Sequence, residues 1–391
     1  MNESVRLGWV AGVPVGFNWS VLVIFWLISW SLAGVTFPGS HPGYGESAYW
    51  LAGVTTAFVF LISLLAHELG HALTARRLGV EVEGITLWMF GGMAKLGGEA
   101  ATPSVALRIG VVGPVVSVAA AALYWVLARA VDAAGAGDLV TAVPAWLARI
   151  NLVLAVFNLV PAFPLDGGRV LQALLWGRSG DRVRATTTAA RAGRAFGLGL
   201  VGLGVASLAA GSSGNGLWFG FLGWFLLSAA RAEESAVVVR DALAGVAVEE
   251  VMTPDPVVVP AEATVAAVLE DYALRHRFSA FPLVDGAGSV VGLLTLRGIK
   301  RVPADRRAVT AAAAVATPLS RVTVARPGEP VVDLLERLAG AGGDDGDGDG
   351  RALVMEDGRL VGIVSPSDVA RLVRLAAVRP RPGAAPPVTH H

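Results

Sequence analysis

The stretch Phe60-Leu-Ile-Ser-Leu-Leu-Ala-His67-Glu68-Leu-Gly-His71-Ala72 decides how the rest of the chain is read. Two histidines four residues apart share one face of a helix. With Glu68 after the first, they form H-E-x-x-H, in which two imidazoles hold Zn2+ and the glutamate handles the proton of a water. No charged residue occurs from Leu51 to Ala66, so the motif ends a run long enough to cross a bilayer. Ionisable groups at membrane depth are costly and call for a partner such as a metal.

The chain has 391 residues, 54% of them hydrophobic and 16% charged, which is too apolar for an ordinary soluble protein. Residues 7–45 carry no Asp, Glu, Lys or Arg, whereas the chain after Arg231 has the composition of a soluble protein. A net charge of zero leaves no nucleic-acid footprint. The absence of cysteine excludes disulfides, thiolate zinc sites and cysteine nucleophiles. The first apolar segment is too long for a signal peptide and is expected to stay as a membrane helix.

Six apolar segments are expected. They are about Pro14–Val35, Trp50–Ala75, Ile109–Ala130, an interrupted Pro144–Trp176, and two sharing Ala195–Ala230 with a turn at Gly211–Gly216. Arginines and lysines fall between segments two and three, between four and five, and after six; the other loops have none. This bias places both termini in the cytoplasm, with multiple passes through a bacterial cell membrane. Between segments two and three, Phe90, Gly91 and Gly92 lie in an apolar, Gly-rich stretch that fits a re-entrant hairpin beside the site, or else a plain surface loop.

Two histidines leave a catalytic metal site short of a third protein ligand. Asp166 is the one acidic residue between Ala142 and Gly180, so a carboxylate ligand is expected there. Pro161, Pro164 and Gly167-Gly168 should unwind the helix around it. An interfacial ion pair of Asp166 with Arg169 is the alternative. Asn158 is read either as a donor to a developing oxyanion or as a hydrogen-bonding partner for a neighbouring helix.

His67-Glu68-Leu-Gly-His71, followed in another apolar segment by Asn158…Pro161…Pro164-Leu-Asp166-Gly-Gly, resembles the site-2 protease family of intramembrane zinc metalloproteases. The resemblance covers residues 1 to about 235. It implies His67, His71 and Asp166 as zinc ligands, Glu68 as general base, and Phe90-Gly91-Gly92 near the substrate. It also implies a membrane-tethered protein substrate such as an anti-sigma or pro-sigma factor.

The soluble half repeats itself with a period of about 65–70 residues. Val251-Met-Thr-Pro254 through Thr295 is echoed by Ala316-Thr-Pro318 through Asp368. The repeat resembles a pair of cystathionine-β-synthase (CBS) domains, a pseudo-twofold module. The resemblance implies adenine-nucleotide binding (ATP, ADP or AMP) through Ser365 and Asp368; the first unit has Gly298 at the position of the aspartate. A homodimerisation module without ligand is the alternative. Asp345-Gly-Asp-Gly-Asp349-Gly350 matches a calcium-loop expression, but an EF-hand needs a helix after the loop, and a strand is expected at Ala352–Met355.

The expected fold is therefore a polytopic α-helical membrane protein of about six transmembrane helices with a re-entrant β-hairpin-like loop, plus a cytoplasmic α+β CBS pair. The expected boundaries are 1–235 for the protease, 246–304 and 312–378 for the CBS units, and 379–391 for a disordered tail. A non-enzymatic CBS-regulated transporter is the competing class.

Overall fold

The computed structural model describes residues 4–89, 91–98, 100–276, 278–340 and 350–376. Phe90, residues 343–349 of the acidic loop and the tail from 379 lie outside them. Contacts divide the chain into two units, Met1–Val237 and Val238–His391.

The charge-free start of the chain does not open with a helix. Val5–Val10 (β1) and Val13–Phe17 (β2) form an antiparallel hairpin, and the first helix, Ser20–Ser40 (α1), begins only after it. The expected segment from Pro14 is corrected here. Ala11 and Gly12 take positive φ values of 50° and 76°, which turn the chain back on itself. Val13 and Val15 then alternate into the core, a period of two that suits a strand. Arg76 holds this turn, donating to the carbonyls of Gly12 (2.9 Å) and Ala11 (3.0 Å).

Glu46–Arg77 (α2) carries the H-E-x-x-H motif in its last third. The next stretch folds into an antiparallel hairpin of Val82–Trp88 (β3) and Gly91–Leu96 (β4), as the Gly-rich composition suggests. β2 pairs in parallel with β3, giving one sheet in the order β1-β2-β3-β4 with β4 at an edge. Val13, Val15, Ile85 and Leu87 pack this sheet on Ala72, Leu69 and Leu73 of α2.

Pro103–Ala133 (α3) and Asp138–Asn158 (α4) run back and forth against α2. The chain then breaks at residues 159–165 and resumes as Asp166–Ser179 (α5). The expected unwinding thus falls just ahead of Asp166, where the two prolines lie. Arg182–Ala209 (α6) and the part of Ser213–Leu243 (α7) up to Val237 complete the unit, with an ion pair between Arg194 and Glu234. Among the described residues, α1, α2, α3, α4 and α6 are long and apolar enough to cross a membrane. The sixth expected segment is the start of α7, long enough but diluted by Asn215, glycines and tryptophans.

In the second unit, two four-stranded sheets carry the repeat. After Thr253–Pro254 (β5), which pairs elsewhere, Val259–Pro260 (β6), Ala280–Val284 (β7), Val290–Thr295 (β8) and Thr317–Pro318 (β9) form the first sheet in the order β6-β7-β8-β9. The second joins Thr323–Ala325 (β10), Ala352–Glu356 (β11) and Arg359–Val364 (β12) to β5. Each Thr-Pro strand therefore pairs with the other repeat, a swap that the linear repeat does not reveal. Phe281, Leu283 and Leu294 fill one core; Leu334, Leu353-adjacent Val354 and Val364 fill the other. The strand at Ala352–Glu356 follows the acidic loop directly, so the helix that an EF-hand requires is not there.

Candidate metal centre

Helical periodicity puts His67 and His71 on one buried face of α2. The break before α5 lets Asp166, its first residue, reach that face. His67 Nε2 lies 3.1 Å and His71 Nε2 3.2 Å from Asp166 Oδ2, and the two Nε2 atoms are 3.3 Å apart. No other cluster of three potential metal-ligating side chains of this kind occurs among the described residues.

These spacings test whether a metal fits. Ligands about 2.0–2.1 Å from a tetrahedral zinc lie about 3.3 Å from one another. The three atoms match that triangle. The outer nitrogens complete the donor set. His71 Nδ1 donates to the Ile109 carbonyl (2.7 Å), which leaves Nε2 of the neutral ring as a lone pair facing inward. His67 Nδ1 is hydrogen-bonded to Ser117 Oγ (2.9 Å). A neutral His71 therefore turns a lone pair toward the Asp166 carboxylate, and a cation held between them would offset that repulsion.

α3 shapes the site without offering a ligand. Ile109, Gly113 and Ser117 are spaced one turn apart and face His71 and His67, themselves one turn apart on α2. A Cβ on Gly113 would lie 2.2 Å from His71 Nε2 and 2.6 Å from His67 Nε2, so the imidazoles occupy the space of the missing side chain. Sequence reasoning missed Gly113 and Ser117. The signal was a small and a hydroxyl residue at i and i+4 in an apolar helix, the same spacing as the two histidines.

Glu68 is half-buried beside the pair and accepts no hydrogen bond from another described residue. Gly92 of β4 lies against it; a Cβ there would meet Glu68 Cγ at 2.2 Å. Gly91 sits next to it in the strand with φ 138°. Phe90 is outside the described residues. Asn158, the last residue of α4, is partly buried and makes no side-chain hydrogen bond among them.

In the second unit, Asp368 is buried at the start of Pro366–Ala376 (α10, with Leu296–Lys300 as α8 and Val331–Gly340 as α9). Its carboxylate accepts from Ser365 N (3.0 Å) and Ser365 Oγ (2.5 Å), an N-terminal capping arrangement. In the first unit Thr295 Oγ1 accepts from Gly298 N (3.3 Å). A Cβ on Gly298 would come 2.8 Å from the Val315 carbonyl, so an aspartate cannot take the matching place without a backbone shift.

Both halves of the chain are similar to known proteins. Residues 55–137 and 127–200 match the model of peptidase family M50, and residues 248–305 and 313–375 match that of the CBS domain. Rip3 of Mycobacterium tuberculosis is 47% identical over 383 residues, covering 97% of this chain and 96% of its own length. A zinc metalloprotease of Methanocaldococcus jannaschii is 27% identical over 382 residues, covering 97% and 98%. Among solved structures, the site-2 protease from the same archaeon aligns with 59% of this chain and 94% of its own, at 24% identity and a TM-score of 0.41.

The class defined here is a membrane-embedded metalloendopeptidase with a CBS pair. The chain belongs to peptidase family M50, the site-2 protease family. The transporter expectation gives way to that membership.

Filling the space of Gly113 separates the question of ligand identity from that of ligand room. Gly113→Ala should force the imidazoles off their shared point and lower metal affinity by at least about 10-fold. Metal content after dialysis against a chelator buffer checks this; wild-type retention would contradict it.

Proposed function

We propose that the protein is a zinc protease that cuts a peptide bond within or near the transmembrane helix of a membrane-tethered regulator, such as an anti-sigma or pro-sigma factor. The observation that carries this reading is the convergence of His67 Nε2, His71 Nε2 and Asp166 Oδ2 on one point beside Glu68. These three atoms would hold the zinc ion. When bound, the ion acidifies water and polarises the scissile carbonyl.

Every other role falls to the chain. Glu68 takes the proton of the attacking water on its carboxylate and passes it to the leaving amine nitrogen as the C–N bond breaks. The Asn158 amide, uncommitted to another side chain, donates to the oxygen that gains charge. A helical substrate hides its carbonyls in hydrogen bonds, so it must unwind first. The edge position of β4, with Gly92 lying against Glu68, supports strand-like pairing that would stabilise the extended form. Phe90 is assigned to the same substrate contact from the sequence.

The basic residues around Arg76, Arg77, Lys95 and Arg108 support a topology with both termini and the CBS pair in the cytoplasm of a bacterial cell. The domain limits 1–235, 246–304 and 312–378 accompany this proposal. The cysteine-free chain makes the topology simple to test. Gly45→Cys should react with a membrane-impermeant maleimide added outside cells, and labelling only after lysis would reverse the assignment.

Cleavage tests the mechanism itself. Glu68→Gln keeps the ligand atoms but removes proton transfer, so turnover of a co-expressed substrate should fall at least about 100-fold while zinc content stays. Near-normal cleavage by this variant would exclude Glu68 as the base.

For the CBS pair we infer one adenine-nucleotide site, at Ser365 and Asp368, with Asp368 accepting from ribose hydroxyls. The capping arrangement preorganises that carboxylate, while Gly298 leaves the first unit without one. Dimerisation through the pair accompanies the reading as its form of assembly. Calorimetry on the full chain should give about one AMP, ADP or ATP bound per chain, lost in Asp368→Ala. Two sites, none, or unchanged binding in the variant would contradict it.

A further inference from the structure

Asp166 is placed by a segment that contributes no ligand. Residues 159–165 leave the end of α4 without regular helical bonding and return the chain to α5. Within this segment Leu165 N donates to the Ala162 carbonyl (2.9 Å), and Gly168 N donates to the Leu165 carbonyl (2.9 Å). Those short loops tighten the turn but do not tie it to the rest of the bundle.

Phe163 does. Its side chain is 2% exposed and packs with Ala189 and Ala190 of α6, Ala230 of α7 and Leu171 of α5. Its backbone lies between two glycines. A Cβ on Gly168 would come 2.4 Å from Phe163 N, and one on Gly193 of α6 would come 2.2 Å from the Phe163 carbonyl. Only hydrogen at those positions lets α5 and α6 close on the peptide from both sides. Gln172 on α5 donates to Thr186 Oγ1 on α6 (2.5 Å), which fixes the same pair of helices one turn further on.

We propose that Phe163 is a positioning residue for Asp166, a wedge whose socket on α6 and α7 sets the approach of the carboxylate to His67 and His71. The proposal rests on the reading of Asp166 as the third metal ligand. Three residues of extended chain reach about 10 Å, whereas a ligand must be held to within about 0.5 Å of its working position. Something outside the loop must remove that freedom, and Phe163 is the residue of this segment whose side chain is buried among residues of α6 and α7. The proposal also gives α6 and α7 a task. Neither bears a residue of the metal cluster, yet both line the socket.

Zinc affinity reads this out independently of turnover. The full-length chain is purified in detergent, stripped, and titrated with zinc against a competing chelator. Phe163→Ala should lower affinity at least about 10-fold, the range seen when support behind a metal ligand is removed. Phe163→Leu, which keeps a wedge of similar bulk, should stay within about 3-fold of wild type. The melting temperature of the zinc-free protein reports loss of packing alone, and the zinc-induced rise above it should shrink in Phe163→Ala and persist in Phe163→Leu. Asp166→Ala is the reference. If it weakens zinc binding and Phe163→Ala does not, the wedge is refuted while the ligand assignment stands. If Asp166→Ala binds zinc as wild type does, the ligand assignment itself falls, and the proposal with it. If Phe163→Ala does not fold, Phe163→Leu and Gly193→Ala decide. Gly193→Ala presses on the Phe163 carbonyl and should weaken zinc at least about 10-fold; wild-type affinity in that variant would overturn the proposal.

Discussion

Two imidazoles and a carboxylate share one buried point between helices that are otherwise apolar, and the fold is arranged around that burden. Taking an unpaired carboxylate out of water costs many kcal/mol, so such a cluster persists only with a compensating cation or a full set of hydrogen bonds. Here the hydrogen bonds go to the outer nitrogens, to Ile109 O and Ser117 Oγ, and the inner atoms are left facing one another. That division is what a metal site needs: the partners behind the ligands fix the rings, and the front stays open.

The constraint reaches into elements that hold no ligand. α3 gives up a side chain at Gly113 so that both rings fit. α4 ends early, and the prolines after it keep the chain from continuing as helix until Asp166 has arrived. β4 gives up a side chain at Gly92 to lie against Glu68. Each of these positions is locally unfavourable or merely neutral, and each is explained by what it brings next to His67 and His71.

The parts legible in the sequence were those in which chemistry and spacing coincide. His67, Glu68 and His71 are an i, i+1, i+4 pattern on a helix, and Asp166 stands alone as an acid among prolines and glycines. The Gly-rich stretch after α2 signalled a hairpin, and the repeat signalled the CBS pair. What stayed hidden depends on contacts between distant segments. Gly113 and Ser117 look like ordinary small residues of a membrane helix until the histidines are placed beside them. Val13-Pro-Val-Gly-Phe17 was absorbed into an apolar run, because absence of charge is shared by membrane helices and by buried strands. The exchange of the Thr-Pro strands between the two repeats follows from pseudo-twofold packing, which a linear comparison of the repeats does not contain.

X-ray absorption at the zinc edge of the purified full-length protein tests the central claim most directly. The account predicts one zinc per chain bound by two imidazole nitrogens at about 2.0–2.1 Å with oxygen completing the shell and no sulfur, and loss of that signal in Asp166→Ala. A shell with fewer than two imidazoles, or an unchanged shell at full occupancy in the Asp166→Ala protein, would contradict it.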